Sequence, residues 1–339
     1  MHPRRSDHLL GAAFVVMWSS GFVGAALGTR DAPASTLLAW RFIIAMPPLV
    51  AWLGWRRRRI SPRDLALHLL IGILGQGGYL YGVFLAAEHG VAEGTISLIT
   101  ALQPLVAVML AVPVLGEPIG RRQLGGFLGG LAGVALVVGG DLDGGAPGWA
   151  YALPFASMLS LVAATLIERR ARPAAALPEA LAVQAGVSTM LFSGIAGVNG
   201  SLAPPLEPRF WTAIGILVLL AMFGGYGLYW VNVQRTGVAH ISALLYLTPP
   251  TTMLLGYAMF GSTLPPLSLL GILICAVAVT VALRTPARSG AQADLARKPP
   301  DPREAASGES LIAAPSAATP PDRRPRSAAS YRCAPPNQG

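Results

Sequence analysis

Of the chain's 339 residues, 53% are hydrophobic and only 12% charged, about half the charged share of roughly 25% usual for soluble domains, which excludes an ordinary water-soluble fold. The formal charge of +9 does not indicate nucleic acid, because the arginines stand in short clusters between apolar runs: Arg4-Arg5, Arg56 to Arg59, Arg121-Arg122 and Arg169-Arg170-Arg172. Such clusters mark the cytoplasmic turns of membrane proteins.

A bilayer core of about 30 Å needs roughly 20 apolar residues per helix, and ten such runs can be drawn, at 9–28, 35–54, 65–86, 94–114, 122–140, 148–167, 180–199, 210–232, 239–260 and 266–283. They predict an all-α integral membrane protein of ten transmembrane helices. Residues 1–8 form a short cytoplasmic N-terminus; reading the first span as a cleaved signal peptide would leave the first half one helix short. With this end inside, the turns at 55–64, 115–121, 168–179 and 233–238 are cytoplasmic and hold nearly every arginine cluster. The opposite turns carry Glu88, Glu93, Asp141 and Asp143, with Arg30 and Arg209. Residues 285–339, rich in Pro, Ala, Ser and Arg without periodicity, read as a disordered cytoplasmic tail. The expected place is the inner membrane, multi-pass, with both termini in the cytoplasm. Cys275, inside an apolar run, and Cys333, in the tail, make no disulfide or metal pair, and no cofactor is expected.

The chain contains its own half-copy. Gly77-Gly78-Tyr79 recurs as Gly224-Gly225-Tyr226, and the same frame carries Gly90-Val91-Ala92 onto Gly237-Val238-Ala239. After a two-residue slip, Leu102-x-Pro104 falls on Leu247-x-Pro249, Gly116 on Gly261 and Gly126 on Gly271. Small and apolar positions are kept while turn charges are exchanged: Glu88 falls on Arg235, and the Glu117 to Arg122 turn on the uncharged Ser262 to Leu267. An inverted repeat in a membrane has this character, because each copied turn lands on the opposite side. The expected repeats are 9–140 and 148–284, five helices each.

Trp18-Ser19-Ser20-Gly21-Phe22-Val23, Trp40-Arg41-Phe42, Leu102-Gln103-Pro104, Leu115-Gly116-Glu117 and Gly126-x6-Gly133-Val134 stand in an order that resembles the EamA-type permeases of the drug/metabolite transporter superfamily. Tyr246-Leu247-Thr248-Pro249-Pro250 and Phe260-Gly261 repeat the pattern. The resemblance covers about residues 8–284 and implies two five-helix halves of opposite orientation and export of small metabolites, amino acids or drug-like compounds. Ser262 departs from the family's usual glutamate, and Ala278 from the glycine seen at Gly133.

Candidate substrate-binding residues sit at similar depth. On the third span Gln76, Tyr79 and Val83 share a helical face, and the matched face of the eighth carries Tyr226 and Trp230. Trp18, Gln103 beside Pro104, and Tyr246 beside Pro249-Pro250 complete the set, where a site between repeats would form; core filling or interfacial anchoring is the alternative for each aromatic. Arg41, inside the second span, costs roughly 2.5–3.5 kcal/mol there. It either contacts an anionic substrate group or snorkels and caps carbonyls.

Pro104 and Pro249 interrupt matched helices and offer hinges. Gly125, Gly129 and Gly133 form successive GxxxG steps for close packing, within one bundle or between subunits, so monomer and homodimer both stay open. Glu117 beside Arg121 reads as an ion pair. Glu88-His89 and Glu93 are either solvated loop charges or groups that couple protons to transport.

The expected partners are thus the bilayer, a small-molecule substrate and, as an open alternative, protons. No HExxH, no GxxxxGK[ST] and no paired aspartates within a span occur, so an enzyme is not expected. The alternative to a permease is a non-transporting membrane sensor or assembly partner.

Overall fold

A computed structural model describes residues 5–56, 60–115, 121–141, 145–175, 177–236, 241, 244–261 and 266–283. Glu117, Asp143, Gly237-Val238-Ala239, Ser262 and the tail 285–339 lie outside the described residues. The described chain is all helix and turn, with no strand among the described residues. Its helices are α1 (Arg5–Gly28), α2 (Ala34–Arg56), α3 (Pro62–Gly72), α4 (Tyr79–Glu88), α5 (Glu93–Ala101), α6 (Gln103–Leu115), α7 (Arg121–Asp141), α8 (Ala152–Ala171), α9 (Leu177–Val198), α10 (Pro208–Gly215), α11 (Tyr226–Thr236), α12 (Thr248–Phe260) and α13 (Pro266–Leu283). π-Helical turns, Ile73–Gly78 and Ile216–Gly225, fuse α3 to α4 and α10 to α11.

Seven stretches of the described residues are long and apolar enough to cross a bilayer: Ser6–Gly28, Ala34–Trp55, Pro62–Glu88, Leu124–Asp141, Gly148–Ala171, Pro178–Val198 and Pro208–Asn232. Large apolar side chains such as Leu128, Met190, Leu219, Leu254 and Leu273 face outward. An apolar surface of this extent needs a lipid solvent, and the chain is a multi-pass membrane protein.

The spans 94–114 and 239–260 are interrupted near Pro104 and Pro249, as those prolines lead one to expect. α5 ends at Ala101 and α6 begins at Gln103, while a turn at Tyr246-Leu247 precedes α12. The cause is local: Pro104 and Pro249-Pro250 have no N–H to give and favour the first turn of a new helix. At both breaks the chain tightens to an i→i−3 bond, Leu102 N–H to Ile99 O at 3.2 Å and Leu247 N–H to Leu244 O at 2.9 Å. The two breaks occupy corresponding places in the repeat. So do the two π turns, each of which ends in Gly-Gly directly before a tyrosine.

Corresponding spans of the two halves pack on each other. α2 runs antiparallel to α9: the Thr36 hydroxyl donates to Ser201 O at 2.7 Å, Phe42 stacks on Phe192 at 5.9 Å, and Met46 reaches Gly186. α5 runs antiparallel to α12, with Glu93 against Gly256 and Gly94 against Met253. α7 runs antiparallel to α13, from Gly129 at Ala278 to Gly140 at Ser268. Other contacts also cross between halves, α1 lying on the second π helix and α8 on the first.

The neighbour of the α7 glycines is therefore α13 of the same chain. A Cβ at Gly133 would stand 2.7 Å from Gly271 O, and one at Gly129 would stand 3.1 Å from the Ala278 Cβ. Gly125 faces open space, so the expected stripe closes the seam at Gly133, grazes it at Gly129 and misses it at Gly125.

Polar ties sort the turns onto two ends. Arg235 reaches Asp7 at 3.4 Å, and Asp64 accepts from Ala174 N–H at 3.3 Å. At the other end Arg209 pairs with Asp31 at 3.1 Å, and Asp141 accepts from Ala92 N–H at 3.4 Å. Glu88 is exposed at the end of α4, as a solvated charge would be, whereas Glu93 is not a solvated loop charge. Glu88 accepts from the first amide of α2, Ala34 N–H, at 2.8 Å, and Glu93 is buried in the first turn of α5, where the helix dipole favours a carboxylate.

Candidate functional site

The π turns position the site. A π turn advances each residue by less rotation than an α turn, so it shifts the phase of everything beyond it, and such turns gather at functional positions. Here they swing Tyr79 and Tyr226 toward α1 and α2. The result is a cavity lined by Trp18, Gly21 and Phe22 of α1, Arg41 of α2, Tyr79, Val83 and Phe84 of α4, and Tyr226 of α11. Trp18 meets Tyr226 edge-on with ring centroids 5.5 Å apart.

Arg41 is only 6% exposed. Its guanidinium carbon lies 5.5 Å from the Phe42 ring and 5.9 Å from the Phe84 ring, within reach of cation–π attraction. Its Nε has no hydrogen-bond partner, and the cavity lining contains no carboxylate. An arginine held this way does not snorkel; it lines the cavity as a buried cation, with no carboxylate among the described lining residues.

A second cavity shares Trp18, Phe22 and Tyr79 with the first and extends past Ser97, Thr100, Gln103 and Pro104 to Thr248. Gln103 donates to the Thr165 hydroxyl at 3.4 Å. Ser19 donates to Thr248 O at 3.3 Å, across the second helix break. Tyr246 and Pro249 line a third, smaller cavity with Leu98, Ala101 and Cys275, and the Tyr246 hydroxyl is buried without a partner.

Trp18, Arg41, Tyr79 and Tyr226 are thus brought together, Gln103 adjoins them through the second cavity, and Tyr246 lies beyond the break. Two expected members fall elsewhere. Gln76 does not share the face of Tyr79 and Val83: the π turn rotates it toward α9, where it donates to Gln184. Trp230 is 45% exposed on α11 and lines none of the three cavities. The hydroxyls of Ser97, Thr100 and Thr248 were not expected as lining; their signal in the sequence is place, Ser97 and Thr100 lying just before Leu102-x-Pro104 and Thr248 inside Leu247-x-Pro249.

Known proteins share this design. A "Probable terminal-alkyne amino-acid exporter" of Streptantibioticus cattleyicolor is 29% identical over 268 residues, covering 76% of this chain and 86% of that protein. The "Uncharacterized inner membrane transporter YedA" of Escherichia coli K12 is 27% identical over 288 residues, covering 79% and 89%. A "Probable amino-acid metabolite efflux pump" of Salmonella typhimurium is 22% identical over 281 residues, covering 80% and 92%. One crystal structure has the same fold at a TM-score of 0.56 and 22% identity, spanning 85% of this chain and all of that one. Matched by the family's model at residues 6–139 and again at 148–284, the chain belongs to the EamA-like transporter family.

Proposed function

We propose that the protein exports small carboxylate-bearing metabolites of the amino-acid class from the cytoplasm, by alternating access between two inverted five-helix repeats. The observation that carries this reading is Arg41: a buried cation with no facing carboxylate, inside an aromatic cavity to which both halves contribute. A substrate carboxylate supplies the missing charge with a charge-assisted bond, and Trp18, Tyr79 and Tyr226 hold its apolar part. The antiparallel pairing of α2 with α9, α5 with α12 and α7 with α13 supports a pseudo-twofold arrangement of ten spans. Rocking about the Pro104 and Pro249 breaks then opens the cavity to one side at a time. The arginine-rich turns favour an orientation with both termini in the cytoplasm. Two relatives named for amino-acid export point to the same substrate class.

The test is counterflow of L-propargylglycine and a panel of amino acids in proteoliposomes. Accelerated uptake against preloaded substrate, lost in Arg41→Ala at unchanged folded yield, is the expected outcome. Saturable binding with no flux in either direction would instead favour a membrane sensor.

A further inference from the structure

A second polar site lies outside the cavities, between α3 and α9. His68 is 1% exposed, and its Nε2 has no hydrogen-bond partner. Its Nδ1 lies 3.5 Å from Nε2 of Gln184, whose Oε1 accepts from Gln76 Nε2 at 3.1 Å. Gln76, 6% exposed, belongs to the first π turn. One helical turn before His68, on the same face of α3, stands Asp64, 8% exposed. A core histidine kept only for packing has both ring nitrogens satisfied. This one does not, and it sits at the head of a relay that ends in the π turn carrying Tyr79.

We propose that His68 is a proton-binding site whose occupancy switches the first π turn, coupling proton movement to transport. Neutral His68 carries its proton on Nε2 and accepts at Nδ1 from the Gln184 amide. A proton arriving from the Asp64 end of the bundle binds Nδ1 and turns that acceptor into a donor. Gln184 must then present its oxygen to His68, and in turning it leaves Gln76 without its acceptor. The π turn loses its tie to α9, and the tyrosine directly after it is freed to move. Asp64 offsets the new charge from one turn away. The other charged groups on the elements packed here are Arg63, which donates to Ala171 O at 3.1 Å, the buried Glu179 in the first turn of α9, and Glu168, Arg169 and Arg170 in the exposed last turn of α8. The second π turn, Ile216–Gly225, is entirely apolar, so the switch belongs to one half alone.

The coupling role rests on the transporter reading; the proton site does not, and the experiment separates them. The full chain in lipid nanodiscs, labelled at histidine and glutamine side chains, is titrated by NMR from pH 5 to 8.5. The His68 signal, assigned by its loss in His68→Gln or by removing the other four histidines in turn, should titrate. The Gln76 and Gln184 amide signals should move with the same midpoint. Asp64→Asn should weaken proton binding. A His68 signal that stays neutral throughout, or one that titrates while both amides stand still, overturns the switch. In proteoliposomes, His68→Gln should keep L-propargylglycine counterflow but lose its acceleration by an imposed pH gradient; equal acceleration in variant and parent overturns the coupling. If the parent itself moves no amino acid, the export reading fails for that class while the titration still decides the proton site.

Discussion

The two halves use one backbone plan with different side chains. Each has a π turn closed by Gly-Gly before a tyrosine, a helix broken at Leu-x-Pro, and a last long helix that seals against its counterpart. The first half supplies Arg41 on α2 and two of the three members of the His68–Gln184–Gln76 relay, while the second supplies Gln184 and the buried Glu179 and Asn232. α9 has no arginine and the second π turn no polar side chain. The shared backbone builds a cavity lined from both halves, while the buried guanidinium of Arg41 and imidazole of His68 both stand in the first.

The seam between α7 and α13 gives the largest expected effect on that comparison. Gly133 has backbone on the far side, whereas its counterpart Ala278 already carries a Cβ. Gly133→Leu should abolish folded yield, measured as monodisperse protein after extraction, while Ala278→Gly should cost no more than about 1 kcal/mol. Equal tolerance at both positions would mean that the seam does not close the halves.

Next in size is Arg41→Ala, expected to weaken amino-acid binding by about ten- to a hundredfold with folded yield retained, read by ligand-induced thermal stabilisation. Arg41→Lys should recover only part, since a lysine gives up the planar fork that grips a carboxylate.

The Gly-Gly pairs form the third contrast. An alanine at Gly78 would meet Ser160, whose hydroxyl donates to Leu74 O at 2.9 Å inside the π turn. At Gly225 its Cβ would sit an ordinary 3.5 Å from Trp18. Gly78→Ala should therefore lower stability by about 1–3 kcal/mol, and Gly225→Ala should be nearly neutral, both followed by thermal unfolding in detergent.

The smallest effect is the symmetric one. Tyr79→Ala and Tyr226→Ala should each raise the dissociation constant by a few-fold to about tenfold, one aromatic contact of about 0.5–1.5 kcal/mol apiece. A large disparity between them would show that the substrate rests on one half.

Much of this was legible in the residues because membrane helices write themselves in hydropathy and the repeat in its glycines and prolines. Of the residues that line the first cavity, Trp18, Tyr79 and Tyr226 were singled out by depth and repeat position and Arg41 by its charge inside a span, whereas Gly21 and Phe84 carried no such signal. The helix breaks showed in Pro104 and Pro249 and not in hydropathy, which does not register a lost hydrogen bond and draws 94–114 as one span. Gln76 was placed on the wrong face because 3.6-residue spacing holds only up to a π turn. His68 and Gln184 were missed altogether, being 116 positions apart with no motif to join them. Asp64 and Glu179 were assigned to polar turns, yet the helices start early enough to bury both.

The antiparallel pairing of like helices also bears on biogenesis. When the ribosome has released α2, α5 and α7, the surfaces meant for α9, α12 and α13 have no occupant, and the backbone around Gly133 stands bare. The nascent first half is therefore an incomplete object rather than a folded domain, exposed to membrane proteases until the second half is inserted. Duplication gave this chain two copies of a unit, but their helices have become mutually dependent, so neither copy can be discarded.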